Sequence, residues 1–505
     1  QNRPPSREGA RMRLAELIAG LPISLDAGAP ETLEITGVAH DSRTVAPGDL
    51  FVAIPGARHD GRAFAAAAAA RGAVAVLGAG SAPAGMTVPW LTTADPRALL
   101  GPLAARVYGH PDREMLLVGV TGTNGKSTVA TLLAAVIGEA TGKPAGFIGT
   151  LGYRLGGQPF PGDRTTPEAS DLFRILRQMR DDPVGGAGGV AMEVSSHALD
   201  LHRVDGVSFD AGVFTNLTRD HLDFHGDMES YFAAKRQLFD HLKPAGRAVV
   251  HLDDPYGQRL AREIPGALTY GTGGEVAPRE VDLGTGGIRA TLQTPRGDFS
   301  FHSPLLGRFN LENLLAAAAG AEALGLPHAA VAAAFAAQPP IAGRMEPVDR
   351  GQPFPVYVDY AHTDDALRAA LGSVRELARS KVAVVFGCGG ERDPGKRPVM
   401  GRVAGELADL VIATSDNPRG EDPMAILHAV EAGLRESGNR GYRVVPDRRE
   451  AIREAISAAS AAGEGWAVLV AGKGHEETQD IGGRKIHFSD REEIARALEE
   501  RFGPA

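Results

Sequence analysis

Cysteine is almost missing from this chain: Cys388 is the only one in 505 residues. A single thiol excludes an intramolecular disulfide and any multi-cysteine metal site, and it fits a reducing compartment. Surplus positive charge is missing as well. The net charge of -9 argues against a nucleic-acid binder held by a basic surface. No apolar run reaches bilayer length, because the Ala-rich stretches Phe64 to Ala70 and Leu314 to Ala319 stop at Arg71 and Gly320. Both stretches are expected to be buried helices. The segment QNRPPSREGARMRLAELIAGL lacks the apolar core of a secretory signal, and no fixed-period repeat or low-complexity tract is found. The expectation is an ordered cytoplasmic protein, a monomer without membrane or nucleic-acid partners.

What is present points to an enzyme of several domains. With 43% apolar and 23% charged residues, the chain can bury a core in each of about three domains of roughly 150 residues. Short apolar segments alternate with turns up to residue 110, as in LEITGVAHDSR, DLFVAIPG and AVAVLG. Strand-like and helix-like segments then alternate from MLLVGV to AVVHLDD, and again from PVYVDYA through KVAVVFGCGG and LVIATSDNPRG to WAVLVAGKGHE. Such alternation predicts an α/β fold with mainly parallel sheets covered on both faces, the last third being doubly wound. Tyr108 to Asp112 and the Pro339-Pro340 region are the predicted junctions.

The most informative stretch is LLVGVTGTNGKSTVATLLAAV, Leu116 to Val136. An apolar strand and a helix-like pattern flank TGTNGKS, so the turn presents free backbone N-H groups and a helix N-terminus to an anion. Gly122 and Gly125 permit the tight turn, Lys126 can reach terminal phosphates and the Ser127 hydroxyl can sit on Mg²⁺. The usual loop signature needs a glycine where this chain has Val120, so the loop is a variant. A Gly-rich turn without a ligand is the plain alternative; the placement of GKS between strand and helix favours nucleotide binding.

A metal beside those phosphates needs oxygen ligands, and Glu193 ends the apolar strand GGVAMEV where a parallel sheet gathers its ligands. His197, Asp220, His221, Asp223 and His225 follow, without a zinc-type spacing. Lys235 lies four residues after Tyr231, three after Phe232 and four before Phe239, so it shares a helix face with aromatics. A buried ammonium there must be paired, neutralised or chemically changed. Helical geometry alone favours the simpler reading, a lysine snorkelling to water.

In order along the chain, TGTNGKST, AMEVSSHALDLHRV, FTNLTRDHLDFHGDMESYFAAKRQLF, GRFNLENLLAA, GRME, VDYAHT, FGCGGERDPGKRP, DNPR and AGKGHE resemble the Mur ligases, which build the peptidoglycan stem peptide. The resemblance covers nearly everything from about residue 35 and implies three domains. These are 1–110 for a UDP sugar, a central P-loop-type ATPase over 111–343, and a Rossmann-like unit over 344–505 that brings an amino acid. It implies an ATP-dependent ligase that joins meso-diaminopimelate to the D-Glu of UDP-MurNAc-L-Ala-D-Glu through an acyl phosphate, with L-lysine or L-ornithine as alternative amino acids. A non-catalytic nucleotide-binding relative is the rival of a different class.

The resemblance also assigns residues. ATP falls to Thr121, Gly122, Thr123, Asn124, Gly125, Lys126, Ser127, Asn313 and Arg344. Mg²⁺ falls to Ser127, Glu193, His221 and a carbamylated Lys235, which reverses the snorkelling reading. Asp359 and His362 join Arg344 in closing on the nucleotide. The UDP-sugar dipeptide falls to Ser42, Ala57, Arg58, His59, Thr165, Thr166, Ser195 and Arg203. The amino acid falls to Arg392, Asp416, Asn417, Pro418, Arg419, Gly472 and Glu476. Arg419 can pair a carboxylate in bidentate fashion, which suits the second carboxylate of diaminopimelate. The chain departs from the family pattern at Leu201, Asp364 and Ser415, the last beside the amino-acid motif. No general base is identifiable; His197 and His362 are the candidates.

Overall fold

The computed structural model describes residues 11–25, 32–56, 59–160, 162, 164–183, 185–378, 381–462 and 465–503. Three mainly parallel sheets succeed one another along the chain. The first has five strands, ordered Ser24–Leu25, Trp90–Thr92, Ala75–Gly78, Asp49–Val52 and Gly37–Ala39, and only the Ser24–Leu25 edge runs antiparallel. It is followed by helix Pro96–Val107, which Asp95 caps by accepting from the Arg97 and Ala98 amides. The apolar face of that helix, with Leu99, Leu100 and Leu103, shares one core cluster with Leu117, Leu172 and Leu176 of the next unit. The Tyr108 to Asp112 junction is accordingly packed, with Tyr108 and Asp112 buried.

The central sheet has eight strands. Its parallel core comprises β1 (Leu116–Thr121), β2 (Ala145–Gly149), β3 (Gly189–Glu193), β4 (Phe209–Phe214), β5 (Leu242–His251) and β6 (Leu268–Tyr270), ordered β2-β3-β1-β4-β5-β6 in space. An antiparallel hairpin, Gly152–Leu155 and Gln158–Phe160, extends the β2 edge. Along β1 the side chains alternate: Leu117 joins Val190 and Met192 on one face, while Val118 and Val120 join Ala191 and Val213 on the other. Both faces are buried, which is why the strand reads as continuously apolar. Helix α1 (Lys126–Thr141) covers one face and ends at Gly142 in the left-handed conformation. Helices α2 (Met228–Arg236) and α3 (Arg308–Ala323) complete the frame around the end of β1.

The third sheet is ordered Glu346–Pro347, β7 (Val356–Asp359), β11 (Trp466–Ala471), β8 (Lys381–Phe386), β9 (Leu410–Ala413) and β10 (Tyr442–Val444), parallel from β7 to β10. Val382, Val384 and Phe386 face one core, Ala383 and Val385 the other. The expected α/β class is therefore observed, with parallel sheets in the predicted segments.

Three expectations need correction. A three-stranded antiparallel sheet, Ala277–Gly284, Gly287–Gln293 and Phe299–Ser303, interrupts the α/β alternation. Only one of its faces is buried, through Ile288, Ala290 and Leu292. Helix Ala65–Ala70 buries only Ala65 and Ala68, because one short turn-and-a-half presents one side to the sheet. The helix carrying Lys235, expected to include Phe239, ends at Arg236 and continues as a 3-10 turn, Gln237–His241. Among the described residues no helix is long and apolar enough to cross a membrane.

Candidate active site

β1 ends at Thr121 and α1 starts at Lys126, and the turn between them needs two left-handed residues, Gly122 (φ 146°) and Gly125 (φ 86°). A side chain at Gly122 would strike the Thr215 hydroxyl, and one at Gly125 would strike Asn313 Oδ1. The end of β4 holds the turn in place. Asn216 O accepts from the Thr123 amide at 2.9 Å, Asn216 Oδ1 accepts from the Asn124 amide at 2.9 Å, and Thr215 Oγ1 donates to Asn124 O at 2.6 Å. Lys126 Nζ donates to the carbonyls of Gly122 (3.0 Å) and Thr123 (2.8 Å). Burial lowers its pKa, opposed by Glu193 and Asp220. An ammonium at a helix N-terminus of this kind can take up phosphate oxygens.

The turn opens into a cavity of about 650 Å³ that also reaches Glu193, Lys235, Arg344 and the loops after β7, β8, β9 and β11. A volume of that order accommodates a nucleotide-sized ligand. A second cavity of about 740 Å³ lies behind α1, lined by Ala134, Leu151, Arg154 and Pro339 among others. None of the predicted site residues lines it, so its size does not make it the site.

Glu193, at the carboxyl end of β3, is buried and accepts from the Thr150 amide (2.8 Å) and hydroxyl (3.1 Å). Ser127 Oγ accepts from Arg344 Nη2 at 3.0 Å, so a residue preceding the third sheet touches the loop. Arg344 also lies 4.7 Å from the Tyr360 ring centroid, a cation–π contact. Asp359 accepts from the Met345 amide and the Ala361 amide, each at 2.8 Å, and so holds the chain on either side of it: Arg344 and His362. Burial raises the Asp359 pKa, which Arg344 and those amides oppose.

Lys235 corrects the snorkelling reading. It is 1% exposed, its Nζ donates to Gly122 O at 2.6 Å, and it stands 4.4 Å from the Tyr231 ring centroid. Burial, reinforced by the neighbouring Lys126 charge, holds its pKa well below the usual lysine value. A lysine so placed gives up its proton more readily than an exposed one. Burial likewise pushes the His221 imidazole down to about 3. Asp220 stands 3.3 Å from His221 Nε2 and 3.8 Å from His362 Nε2. Burial works against its charge, yet His362, His221 and Lys396 hold its carboxyl down at about 2. His362 Nδ1 donates to Tyr360 O at 2.9 Å, which leaves Nε2 toward Asp220. His197 packs in an aromatic cluster with His221, Phe224 and His225 and does not line the cavity.

Among the described residues no three His, Cys, Asp or Glu side chains stand together as a metal site. Glu193 and His221 both line the cavity, and any cation there would need further oxygen donors beside them. A hard cation of the Mg²⁺ kind needs no more carboxylates than that.

At the far side of the cavity, Asp416, Asn417 and Arg419 follow β9, and Gly472 and Glu476 follow β11. Asn417 Nδ2 donates to Glu476 Oε2 at 2.9 Å, and Arg419 Nη1 donates to Gly390 O. Arg419 holds a positive φ of 52°, fixed by its amide donating to Asp480 O at 3.0 Å. Gly472 packs against Asp416, whose Oδ2 a Cβ would meet at 2.6 Å. Arg392 lines the same end.

The predicted residues do not all converge here. Thr165 and Ser195 line the cavity; Ser42, His59, Thr121, Gly122, Thr166, Arg203 and Pro418 do not. Thr121 is fully buried as the last residue of β1. Arg203 pairs with Glu168 at 3.1 Å, and Thr166 Oγ1 donates to Glu193 O at 2.8 Å. Ala57 and Arg58 lie outside the described residues. Sequence reasoning missed Thr150, Tyr360, Lys396 and Lys473, and left Asp220 unassigned. Tyr360 and Lys473 stood inside quoted motifs, while Thr150 had only its place at a strand's carboxyl end as a signal. Cys388 is buried and its thiol is pushed up to about 12, so it is not a nucleophile.

Two half-buried histidines predict an acid response. Burial holds His197 and His475 at about 4 in the folded state, against about 6.5 in an unfolded chain. The unfolded state therefore takes up protons first as pH falls. Their contribution to stability is complete above about 6.5 and is lost progressively toward pH 4. The thermal unfolding midpoint is expected to fall across that window; a flat midpoint contradicts the placement of these rings.

Residues 34–108 match the model described as Mur ligase family, catalytic domain, residues 120–321 the Mur ligase middle domain, and residues 343–474 the Mur ligase, glutamate ligase domain. A UDP-N-acetylmuramoyl-L-alanyl-D-glutamate--2,6-diaminopimelate ligase from Geobacter metallireducens is 47% identical, over 97% of this chain and 99% of the relative. The ligase of the same name from Streptomyces coelicolor is 45% identical, over 96% and 97%. A solved structure bearing that name aligns with a TM-score of 0.66 at 34% identity, over 97% of this chain and 99% of the other. With family models matching along most of its length and relatives this similar over nearly all of it, the chain belongs to the Mur ligase family.

Proposed function

We propose that this chain is an ATP-dependent amide ligase that joins meso-2,6-diaminopimelate to the D-glutamyl carboxylate of UDP-N-acetylmuramoyl-L-alanyl-D-glutamate, in the cytoplasmic synthesis of peptidoglycan precursors. The observation that carries the reading is that a phosphate-type turn bearing Lys126 and Ser127 opens on the same cavity as the Asp416 to Arg419 loop. Phosphoryl transfer and amine delivery can therefore occur in one place. The substrates are small molecules, and the net charge of -9 gives no footing for nucleic acid.

In this reading the side-chain carboxylate of D-glutamate attacks the γ-phosphorus of ATP. The bond from that phosphorus to the bridging oxygen breaks, giving an acyl phosphate and ADP. The amine of diaminopimelate then attacks the acyl carbon, inorganic phosphate leaves and a proton is lost from nitrogen. Lys126 offsets charge on the transferring group, and the loop amides at the start of α1 orient it. Asn313, packed against Gly125, would contact the adenine of bound ATP. Arg344, fixed by Asp359 and Tyr360, ties the amino-acid unit to the phosphate loop, and closure of the cavity keeps water from the acyl phosphate.

The residues present fit a magnesium ion. Ser127, Glu193 and His221 offer two oxygen donors and an imidazole kept neutral by burial, and Lys235 becomes an anionic oxygen donor once its neutral amine adds to CO₂ and releases a proton. Bound there, Mg²⁺ supplies charge neutralisation to the phosphoryl oxygens. At the other end, Arg419 and Arg392 suit the distal carboxylate that lysine and ornithine lack, and Glu476 and Asp416 suit the ammonium groups. Incubation with ATP, Mg²⁺, the UDP-muramoyl dipeptide and each amino acid in turn tests this by product mass. Diaminopimelate is expected to give the product; a lysine or ornithine product alone would overturn the specificity, and no product with any of them would overturn the ligase reading.

A further inference from the structure

Two side chains at the amino-acid end of the cavity, Asn417 and Glu476, are held by a third that does not line it. Lys473 has no exposed side-chain surface, and its ammonium donates to Glu476 Oε2 at 2.9 Å and to Asn417 Oδ1 at 3.2 Å. Asn417 Nδ2 closes the triangle on the same Oε2 at 2.9 Å. Among the described residues Glu476 Oε1 accepts no hydrogen bond, and the Glu476 side chain keeps 31% of its surface exposed. One carboxylate oxygen is thus pinned by two donors and the other is left for a ligand. Asn417 Oδ1 accepts in addition from the Asp480 amide at 3.0 Å. The Asp480 carbonyl in turn accepts from the Arg419 amide at 3.0 Å, and the Arg419 carbonyl from the Gly482 amide at 2.7 Å. The orientation of Asn417 is therefore transmitted to the segment that carries Arg419.

A fully buried ammonium is tolerated only beside an ionised, hydrogen-bonded partner. The partners here are the two cavity residues. We infer that Lys473 is the positioning residue of the amino-acid subsite: it pins one oxygen of Glu476 so that the other is left to accept from a substrate ammonium, and it sets Asn417, and through it the Arg419 loop. Lys473 itself touches no reacting atom. The inference rests on the amino-acid subsite proposed above.

The test is steady-state kinetics of K473M, E476Q and the double variant in the full-length enzyme. KM for diaminopimelate in K473M is expected to rise about 10- to 100-fold, the worth of a hydrogen bond to a charged group, with KM for ATP unchanged. In the E476Q background K473M should add little, because both changes remove one interaction. Unchanged KM for diaminopimelate, additive losses, or a parallel rise in KM for ATP would each overturn the inference. K473Q, which keeps a donor in similar volume, is the second variant, and an unchanged unfolding midpoint of the third sheet in chemical denaturation reports folding. If neither Lys473 variant folds while E476Q does, Lys473 is a structural residue and the inference fails. A wild-type enzyme without product defeats the ligase reading itself; an active wild type with normal diaminopimelate KM in K473M defeats only this one.

Discussion

Replacing Lys126 with alanine is expected to lower turnover by at least about a hundred- to a thousandfold, the loss seen when one preorganised charge-stabilising donor is removed. The structure gives reason to expect that the fold survives. Among the described residues Lys126 Nζ donates only to the Gly122 and Thr123 carbonyls of its own turn, and alanine is the best helix former at the start of α1. The loss has a second route. The Lys126 charge helps to depress the pKa of Lys235, so its removal leaves that amine more protonated and less able to take up CO₂. Phosphate release, the thermal midpoint and the intact mass of Lys235 peptides separate these effects. An unchanged midpoint with abolished turnover is the expected outcome; turnover close to wild type contradicts the assignment of the phosphate loop.

The largest effect on stability is expected at Asp490. Arg448 and Asp490 are both fully buried and pair in a two-pronged geometry, Nε to Oδ1 and Nη2 to Oδ2, each at 2.7 Å. Asp490→Ala leaves a buried guanidinium without its counter-ion, which costs about 3–5 kcal/mol. Arg448 Nη2 also donates to Ala471 O at 2.8 Å, the last residue of β11 and the neighbour of Gly472. The damage should therefore reach the amino-acid end of the cavity. Chemical denaturation is expected to show the third sheet unfolding early, with the central unit still able to bind ADP. Replacing both partners by apolar residues of similar volume should recover most of the loss. A midpoint unaffected by Asp490→Ala would mean that the pair carries no such weight.

The parts of the site that local pattern controls were readable from the residues. The turn between β1 and α1 needs a strand, two glycines and a helix within a short stretch, and all three are local. Continuous apolar strands alternating with helices likewise specify parallel sheets buried on both faces. Lys235 shows where local pattern stops. Its spacing from Tyr231 placed it on the aromatic face, but whether its tip reaches water depends on Gly122, 113 positions away in the chain. The antiparallel sheet between Ala277 and Ser303 escaped notice because its first strand is largely exposed and lacks clear alternation. Lys473 sits in a quoted motif, yet its role depends on Asn417, which a different strand supplies. Ser42 lies in the turn after Gly37–Ala39 and His59 in the bend before Gly61–Phe64, and no local signal tells how far they stand from the phosphate turn.

The most direct test of the central claim follows one oxygen atom. The D-glutamyl side-chain carboxylate of the UDP-muramoyl dipeptide is labelled with ¹⁸O, and the inorganic phosphate released with diaminopimelate and ATP is examined by mass. If the carboxylate attacks the γ-phosphorus and the amine then displaces phosphate, one labelled oxygen appears in each phosphate formed with product. Unlabelled phosphate accompanying amide product would contradict activation of the carboxylate by phosphoryl transfer.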